Sequence, residues 1–414
     1  MRIKIFNEPG NPTIKQWSSN LFYSGLILFC LTLPFRTSLN NIAILILIVG
    51  WLGESNFREK LAAIGKQRII LFPLIYFLFS AMTILYSDDT TFGMKVLETQ
   101  IKLFLFPVLF ATTVSITASR RRIILLVFSG WCVFLALTLL GIGLVRFKQT
   151  GNSDFLFYYE LTDPIQLHAI YMANYLALSA LIVIFTEIKM PFRYVVAFKA
   201  ITIIFILLVI GMLSSLSVML FVICFTLVMV SWWLYSRIGI WKSIFASVIL
   251  VLTILFLAMS MPYTRNKVVR SMNFHYEMDY PDSAWNTFTI RMAKWKCGWA
   301  VAQDHFLAGA GVGDEMSELM KSYEKINFKE GIRCNYNVHN QYLSAVMSGG
   351  IILFILLVVM LTSAIWIAIR NNDLLAAAFV MLMIFSLMTE NFFHVQKGVT
   401  FFSFFYALFL SRKN

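Results

Sequence analysis

The stretch QYLSAVMSGGIILFILLVVMLTSAIWIAI, residues 341–369, runs for 29 residues without a charge. A bilayer core is crossed by about 20 consecutive apolar residues in a helix, so this segment alone predicts a membrane span. It also sets a standard for reading the rest of the chain. By that standard twelve spans are expected, at about 19–35, 39–53, 69–87, 99–117, 123–145, 167–186, 194–211, 213–235, 243–262, 341–369, 374–389 and 398–411. The second, eleventh and twelfth are the shortest. The first is followed at once by another and lacks a small-x-small cleavage site, so it is read as an anchor and not as a cleaved signal.

Composition agrees. Of 414 residues, 59% are apolar and 13% charged, and mean hydropathy is +0.76. A soluble domain carries about a quarter charged residues, so the bilayer is the expected solvent for this surface. The 39 phenylalanines are expected on lipid-facing helices. The net charge of +13 would suit nucleic acid in a soluble protein. Here it is read as the Lys/Arg bias that orients membrane proteins, and no nucleic-acid partner is expected. With the N-terminus inside, the inner segments hold 17 Lys and Arg, among them Arg120–Arg122. The short outer loops hold only Arg36, Lys95, Arg146, Lys148 and Lys397. Both termini are therefore expected on the cytoplasmic side. The fold class is an all-α integral membrane protein of about twelve helices, with a large helical outer loop between spans nine and ten. Residues 1–262 form the first nine spans, 263–338 the outer loop and 339–414 the last three. Polar mass is concentrated in that one loop, unlike a transporter built from two related halves.

Chemistry is sought in the loop and at the outer ends of the spans. Asn286–Trp295 continues without a breaker through Ala302 and reads as a helix. Met292, Trp295, Trp299 and Ala302 form an apolar stripe at helical spacing, with Arg291 and Lys294 on another face. Such a helix either lies on the membrane interface or clamps phosphate with its cations. Phe306–Asp314 contains three alternating glycines, Gly309, Gly311 and Gly313, which permit a tight turn and close approach. The third falls too early for a dinucleotide-binding fingerprint. His339, in Asn337-Val-His339-Asn340-Gln341-Tyr-Leu343, sits at the mouth of span ten. A histidine there either caps a helix or serves as a base near neutral pH. His168 and Tyr171 open span six, and Glu390, His394 and Lys397 separate spans eleven and twelve. Ser214, Ser215 and Ser217 mark an outer turn. Of the five cysteines, Cys30, Cys132 and Cys224 read as small apolar residues. Cys297 and Cys334 lie in the outer segment, where an oxidising compartment would permit pairing. No spacing of Cys and His suggests a metal site.

Three features fall in a fixed order: Arg291-x-x-x-Trp295, Phe306-Leu-x-Gly-x-Gly-x-Gly313 and His339-Asn-x-x-Leu343. In that order, and in overall topology, the chain resembles the O-antigen ligases and O-antigen polymerases of bacterial inner membranes. Glu390-Asn-Phe-Phe-His394 and the aromatic last span resemble branches of the same family. The resemblance implies glycosyl transfer on the periplasmic face, from an undecaprenyl-pyrophosphate-linked glycan to a hydroxyl. In ligases the acceptor is the lipid A core; in polymerases it is another lipid-linked unit. Neither metal nor other cofactor is implied, and the protein's partners are these lipid-borne substrates and membrane lipids. Arg291 and His339 match the family's motif residues and are expected to be catalytic. Arg265, Lys294, Gly311, Gly313, Asn340, His168, Tyr171, Glu390 and Lys397 are expected to contact substrate. One position departs: Leu216 stands where many relatives carry a basic residue after a serine. Arg265, Lys267, Arg270 or Lys294 would then supply a second phosphate contact. A lipid-linked glycan flippase and a noncatalytic assembly partner are the competing readings.

Overall fold

The computed structural model describes residues 12–55, 57–64, 68–113, 116–189, 191–260, 265–266 and 287–411. Among them there is no strand. The described residues of each of the twelve apolar stretches are mainly helical, but their lengths differ from an even set of spans. Among the described residues, four helices are long and apolar enough to cross a bilayer: α2 (Thr37–Glu54), α7 (Ala118–Thr150), α10 (Phe192–Leu213) and α16 (Gln341–Arg370). A fifth crossing arises if Tyr158–Ile165 and Ala169–Phe185, bent by 85°, act as one. α1 is Pro12–Thr32, α3 Phe57–Ile64, α8 Tyr158–Thr162, α9 Ala169–Phe185, α11 Leu216–Ile238, α12 Ile240–Ser260 and α17 Leu374–Leu387.

The stretch expected as one helix over 99–117 is broken. Ile101 separates α5 (Thr90–Gln100) from α6 (Lys102–Thr112). At about 1.5 Å per residue, the 11 residues of α6 are too short to cross alone. α4 (Phe72–Met82) has the same length and is extended by a short 3-10 turn, Thr83–Tyr86. α5 and α6 pack with α18 (Gln396–Leu410), and α4 packs on α5 and α6.

α18 corrects the expectation for phenylalanine. Its Phe401, Phe402, Phe404 and Phe405 are fully buried. Phe404 stacks on Phe29 at 4.4 Å and meets Phe106 and Phe110 edge-on, each at 5.5 Å. Aromatic rings thus fill the centre of the bundle as well as its rim. Helix association in lipid has little hydrophobic drive and rests on close packing, which interlocking rings provide. At the end of the bundle remote from the lobe, Arg121 pairs with Asp373 at 2.8 Å. Asp373 also caps α17 by accepting from the Ala376 amide.

The described part of the outer loop forms a lobe of α13 (Thr287–Asp304), α14 (Glu315–Lys325) and α15 (Lys329–Arg333). Its core holds Ala293, Cys297, Val301, Leu319, Tyr323 and Phe328, and it merges with Met347 of α16. The packed face of α13 is therefore Ala293, Lys294, Cys297, Val301 and Ala302, all buried. The expected stripe is split: Ala302 is buried and Trp295 packs against the lobe core, while Met292 and Trp299 are exposed. Small residues win because α13 is pressed close, with a Cβ on Gly298 falling 2.5 Å from Val338. Cys297 is buried beside Ser322 and Cys334 is exposed. Both thiols are free, so the pairing considered from sequence is not formed.

Candidate functional site

The site starts from a broken helix. Gly349 and Gly350 leave helical geometry inside α16, Gly350 at φ 64°, a region open to glycine at no steric cost. The break frees backbone groups that would be costly to leave unpaired at membrane depth. The glycine turn of the lobe pairs with them. Ala310 N–H donates to the Met347 carbonyl (2.7 Å), Gly311 N–H to Ser348 (3.0 Å), and Ile351 N–H to Phe306 (2.8 Å). A Cβ on Gly309 would lie 2.4 Å from the Gly349 amide nitrogen, and one on Gly350 would lie 2.2 Å from the Leu307 carbonyl oxygen. Val312 and Gly313 amides donate to Thr83 and Ser87, and Asp314 accepts from the Asp88 and Asp89 amides at 2.6 and 2.9 Å. The glycine turn is thus a strut between lobe and bundle. Its Gly311 and Gly313 pack against Ser87 and Asp89, and their N–H groups are occupied by protein acceptors.

The first half of α16 is fastened to the segment after α17 by contacts in register. His339 Nδ1 lies 3.1 Å from Glu390 Oε1. Asn340 N–H donates to Asn391 Oδ1 at 2.7 Å, and Phe393 N–H to Gln341 Oε1 at 2.8 Å. Ser344 Oγ lies 3.3 Å from His394 Nε2, which is also 3.3 Å from Glu315 of the lobe. The Asn340 side chain caps α16 by accepting from the Tyr342 and Leu343 amides. His339 itself sits at φ 47°, held there by the Asn337 side chain, which accepts from its amide at 3.0 Å. A left-handed histidine is uncommon and marks a position that its surroundings over-determine.

Cations converge on Glu390. Burial alone would raise its carboxyl, but the hydrogen bond and charge of His339, then His168 and Arg291, hold it below the usual carboxylate range. Lys294 is buried, with Nζ 3.7 Å over the Tyr336 ring. Burial first, and Arg291 as well, lower its ammonium to about 7 against the pull of Glu390. Arg291 is half-buried, and no ion pair occupies it among the described residues. His168 caps α9, its Nδ1 accepting from the Ile170 amide, while its Nε2 faces the Tyr159 hydroxyl. Tyr171 stands edge-on to His168, with ring centroids 6.0 Å apart. Burial raises the hydroxyls of Tyr158 and Tyr159, and the Glu390 charge adds to it.

Five of the expected residues, Arg291, Lys294, His339, His168 and Glu390, thus form one electrostatic cluster, with Tyr171 at its edge. Others lie elsewhere. Lys397 donates to the Leu33 carbonyl (2.8 Å) and to Asn40 (3.3 Å), in the turn joining α1 and α2. Asn340 is spent on capping and on Asn391. Arg265 is exposed, and Lys267 and Arg270 fall outside the described residues. Leu216 is exposed at the start of α11, beside the buried Ser215 and Ser217. Sequence reading missed Tyr158, Tyr159 and Tyr336. The doublet in Phe157-Tyr-Tyr-Glu160 was the available signal, but adjacent tyrosines are common near membrane interfaces and say nothing of a partner. It also missed that Glu315, far along the chain, meets His394.

This set of groups has a legible chemistry. A carboxylate on Nδ1 of a histidine fixes the ring and leaves Nε2 for a proton, and the His339 side chain remains 27% exposed. Beside it stand two cations, one an arginine whose fork suits phosphate oxygens. Compared with known families, residues 200–358 match the model described as O-antigen ligase. The matched region runs from α10 into α16 and includes Arg291, Lys294 and His339; Glu390 and His168 lie beyond it. No curated protein matches the chain significantly.

Proposed function

We propose, from the match of residues 200–358 to the O-antigen ligase family together with the geometry of the site, that the chain moves a glycan from undecaprenyl pyrophosphate to an acceptor hydroxyl. The acceptor is the lipid A core, and the site faces the periplasm. The observation that carries the mechanism is the His339–Glu390 pair at 3.1 Å, set among Arg291 and Lys294. Nε2 of His339 takes the proton of the acceptor hydroxyl. The oxygen attacks the anomeric carbon as its bond to the pyrophosphate breaks, with inversion. Negative charge then grows on the leaving group, where Arg291 and Lys294 are placed to stabilise it. Glu390 holds the imidazolium formed on the way. Because one oxygen attacks in a single displacement, no pair of sugar-flanking carboxylates is required.

The test is reconstitution in proteoliposomes with a lipid-linked glycan and candidate acceptors. Glycan on lipid A core supports a ligase. Elongated lipid-linked product would assign the chain to polymerases, and product on neither would remove both readings. Arg291→Ala and His339→Ala should each lower transfer by about 10²–10⁴-fold, the range for a positioned base or charge, with insertion intact. Orientation has its own check. In a Cys334→Ser background, which removes the exposed native thiol, a membrane-impermeant thiol reagent applied from the periplasm should label Lys321→Cys and not Lys189→Cys, both exposed side chains; the reverse pattern would invert the topology.

A further inference from the structure

α13 presents an apolar line that none of the described residues covers. Met292, Trp299 and Phe306 recur every seven residues, two turns apart, on one side of the helix and of the turn that follows it. All three are exposed, Trp299 at 56%, and Leu307 beside them is 74% exposed. In the lobe's own packing this is the expensive side to leave bare, since the buried side carries only small residues and Lys294.

Two neighbouring helices of the bundle give the line its context. α4 exposes Ile75, Leu78, Met82 and, in its 3-10 extension, Leu85 at 84%. α16 exposes Ile352, Ile355 and Val359 after its break. Both sets have helical spacing and face out of the bundle, so they are lipid-facing stripes. α4 and α16 pack side by side, and both stripes end at the same turn of the lobe. The Tyr86 hydroxyl donates to the Ala308 carbonyl at 2.5 Å, and the Ile351 amide donates to Phe306. Phe306 and Leu307 therefore extend a lipid-facing surface without a gap. The polarity changes abruptly beyond it. Asp88, Asp89, His305, Asp314, Glu318 and Lys321 line an open cleft of about 730 Å³. Leu85 and Asp88 are three residues apart, as are Ala308 and His305. Tyr86, with its ring exposed and its hydroxyl bonded, sits on the boundary, as interfacial tyrosines do.

We infer that α13 and the turn after it lie in the surface of the bilayer leaflet on the lobe's side, with Met292, Trp299, Phe306 and Leu307 inserted among headgroups and upper acyl chains. The occupant of this face is lipid because it is continuous with two stripes already facing lipid. The lobe is then held to the membrane along α13 as well as through the broken α16. Arg291, one residue before Met292, is fixed at headgroup depth. If the proposed function holds, that is the depth of a carrier's pyrophosphate.

The test does not depend on activity. In a Cys334→Ser background, which removes the exposed native thiol, nitroxide labels are placed singly at Trp299→Cys, Leu307→Cys and Lys321→Cys, and the full chain is reconstituted in phosphatidylethanolamine–phosphatidylglycerol vesicles. Collision with oxygen should exceed collision with a water-soluble nickel chelate at 299 and 307, and the order should reverse at 321. Nickel dominance at either 299 or 307 would place that face in water and overturn the inference. Shielding from both reagents at 299 and 307 would mean that protein covers it, and would overturn it equally.

Discussion

Two histidine–glutamate pairs lie a few residues apart in this fold, and they are not alike. His339–Glu390 and His394–Glu315 close at 3.1 and 3.3 Å. In the first, Glu390 is held below the ordinary carboxylate range although burial opposes it, because His339, His168 and Arg291 all face it. In the second, burial wins and raises Glu315, with His394 and Ser344 only partly opposing. The side chain of His339 is twice as exposed as that of His394, 27% against 13%. One histidine thus belongs to a charged cluster that is partly open to its surroundings. The other is a buried clamp joining the lobe, through Glu315, to the bundle, through Ser344. The same two residue types give an ionised carboxylate or a neutralised one according to how many further cations share it.

This contrast can be broken by exchanging the effects of matched substitutions. Glu390→Gln should lower transfer by about 10²-fold, at the low end for losing a properly held base. Transfer at the unaltered rate would remove Glu390 from the mechanism. His394→Ala should act on stability instead. It leaves Glu315 buried with only Ser344 beside it, at a cost of about 1–3 kcal/mol, visible as a lower thermal midpoint while the protein that remains folded still transfers. Glu315→Gln should be milder, because burial already favours the neutral carboxyl. If the two clamp variants abolish transfer without changing the midpoint, the division between pairs fails.

Smaller effects sharpen it. Gly350→Ala meets the Leu307 carbonyl at 2.2 Å in a left-handed conformation. It should cost about 1–3 kcal/mol and loosen the lobe, measured as faster proteolysis near the glycine turn. The exposed Gly130, with nothing within 4 Å of its Cβ position, should accept alanine with no such change. The smallest effect concerns Lys294. Its ammonium titrates at about 7, so its charge is present below that pH and lost above it. Transfer should therefore fall several-fold as pH rises through about 7, by loss of one leaving-group cation. Lys294→Arg should flatten that limb, because arginine does not titrate there.

Much of the cleft was readable residue by residue. Arg291 and His339 stand in short motifs, and Glu390 and His168 are ionisable groups at span ends, which mark functional candidates by default. Their grouping was not readable. Glu390 follows His339 by 51 positions and His168 precedes it by 171, and no periodicity links residues on different helices. The glycine turn was legible as a close approach, yet what it approaches, the break at Gly349–Gly350, depends on two helices meeting. The stripe on α13 was legible as a pattern, but a pattern does not say whether protein or lipid covers it.

Sequence by itself determined that the chain is helical and belongs in a membrane, because hydropathy is a property of local composition and every backbone group in lipid must be paired within its own segment. It also fixed which residue types bring charge to the outer ends of the helices. Only tertiary structure decided which charges share a site, that α5 and α6 part at Ile101, that the phenylalanines of α18 form the bundle's centre, and that one histidine pairs in a partly exposed charged cluster while its neighbour pairs in a buried contact. Those outcomes depend on what surrounds a side chain, and the surroundings come from distant parts of the chain.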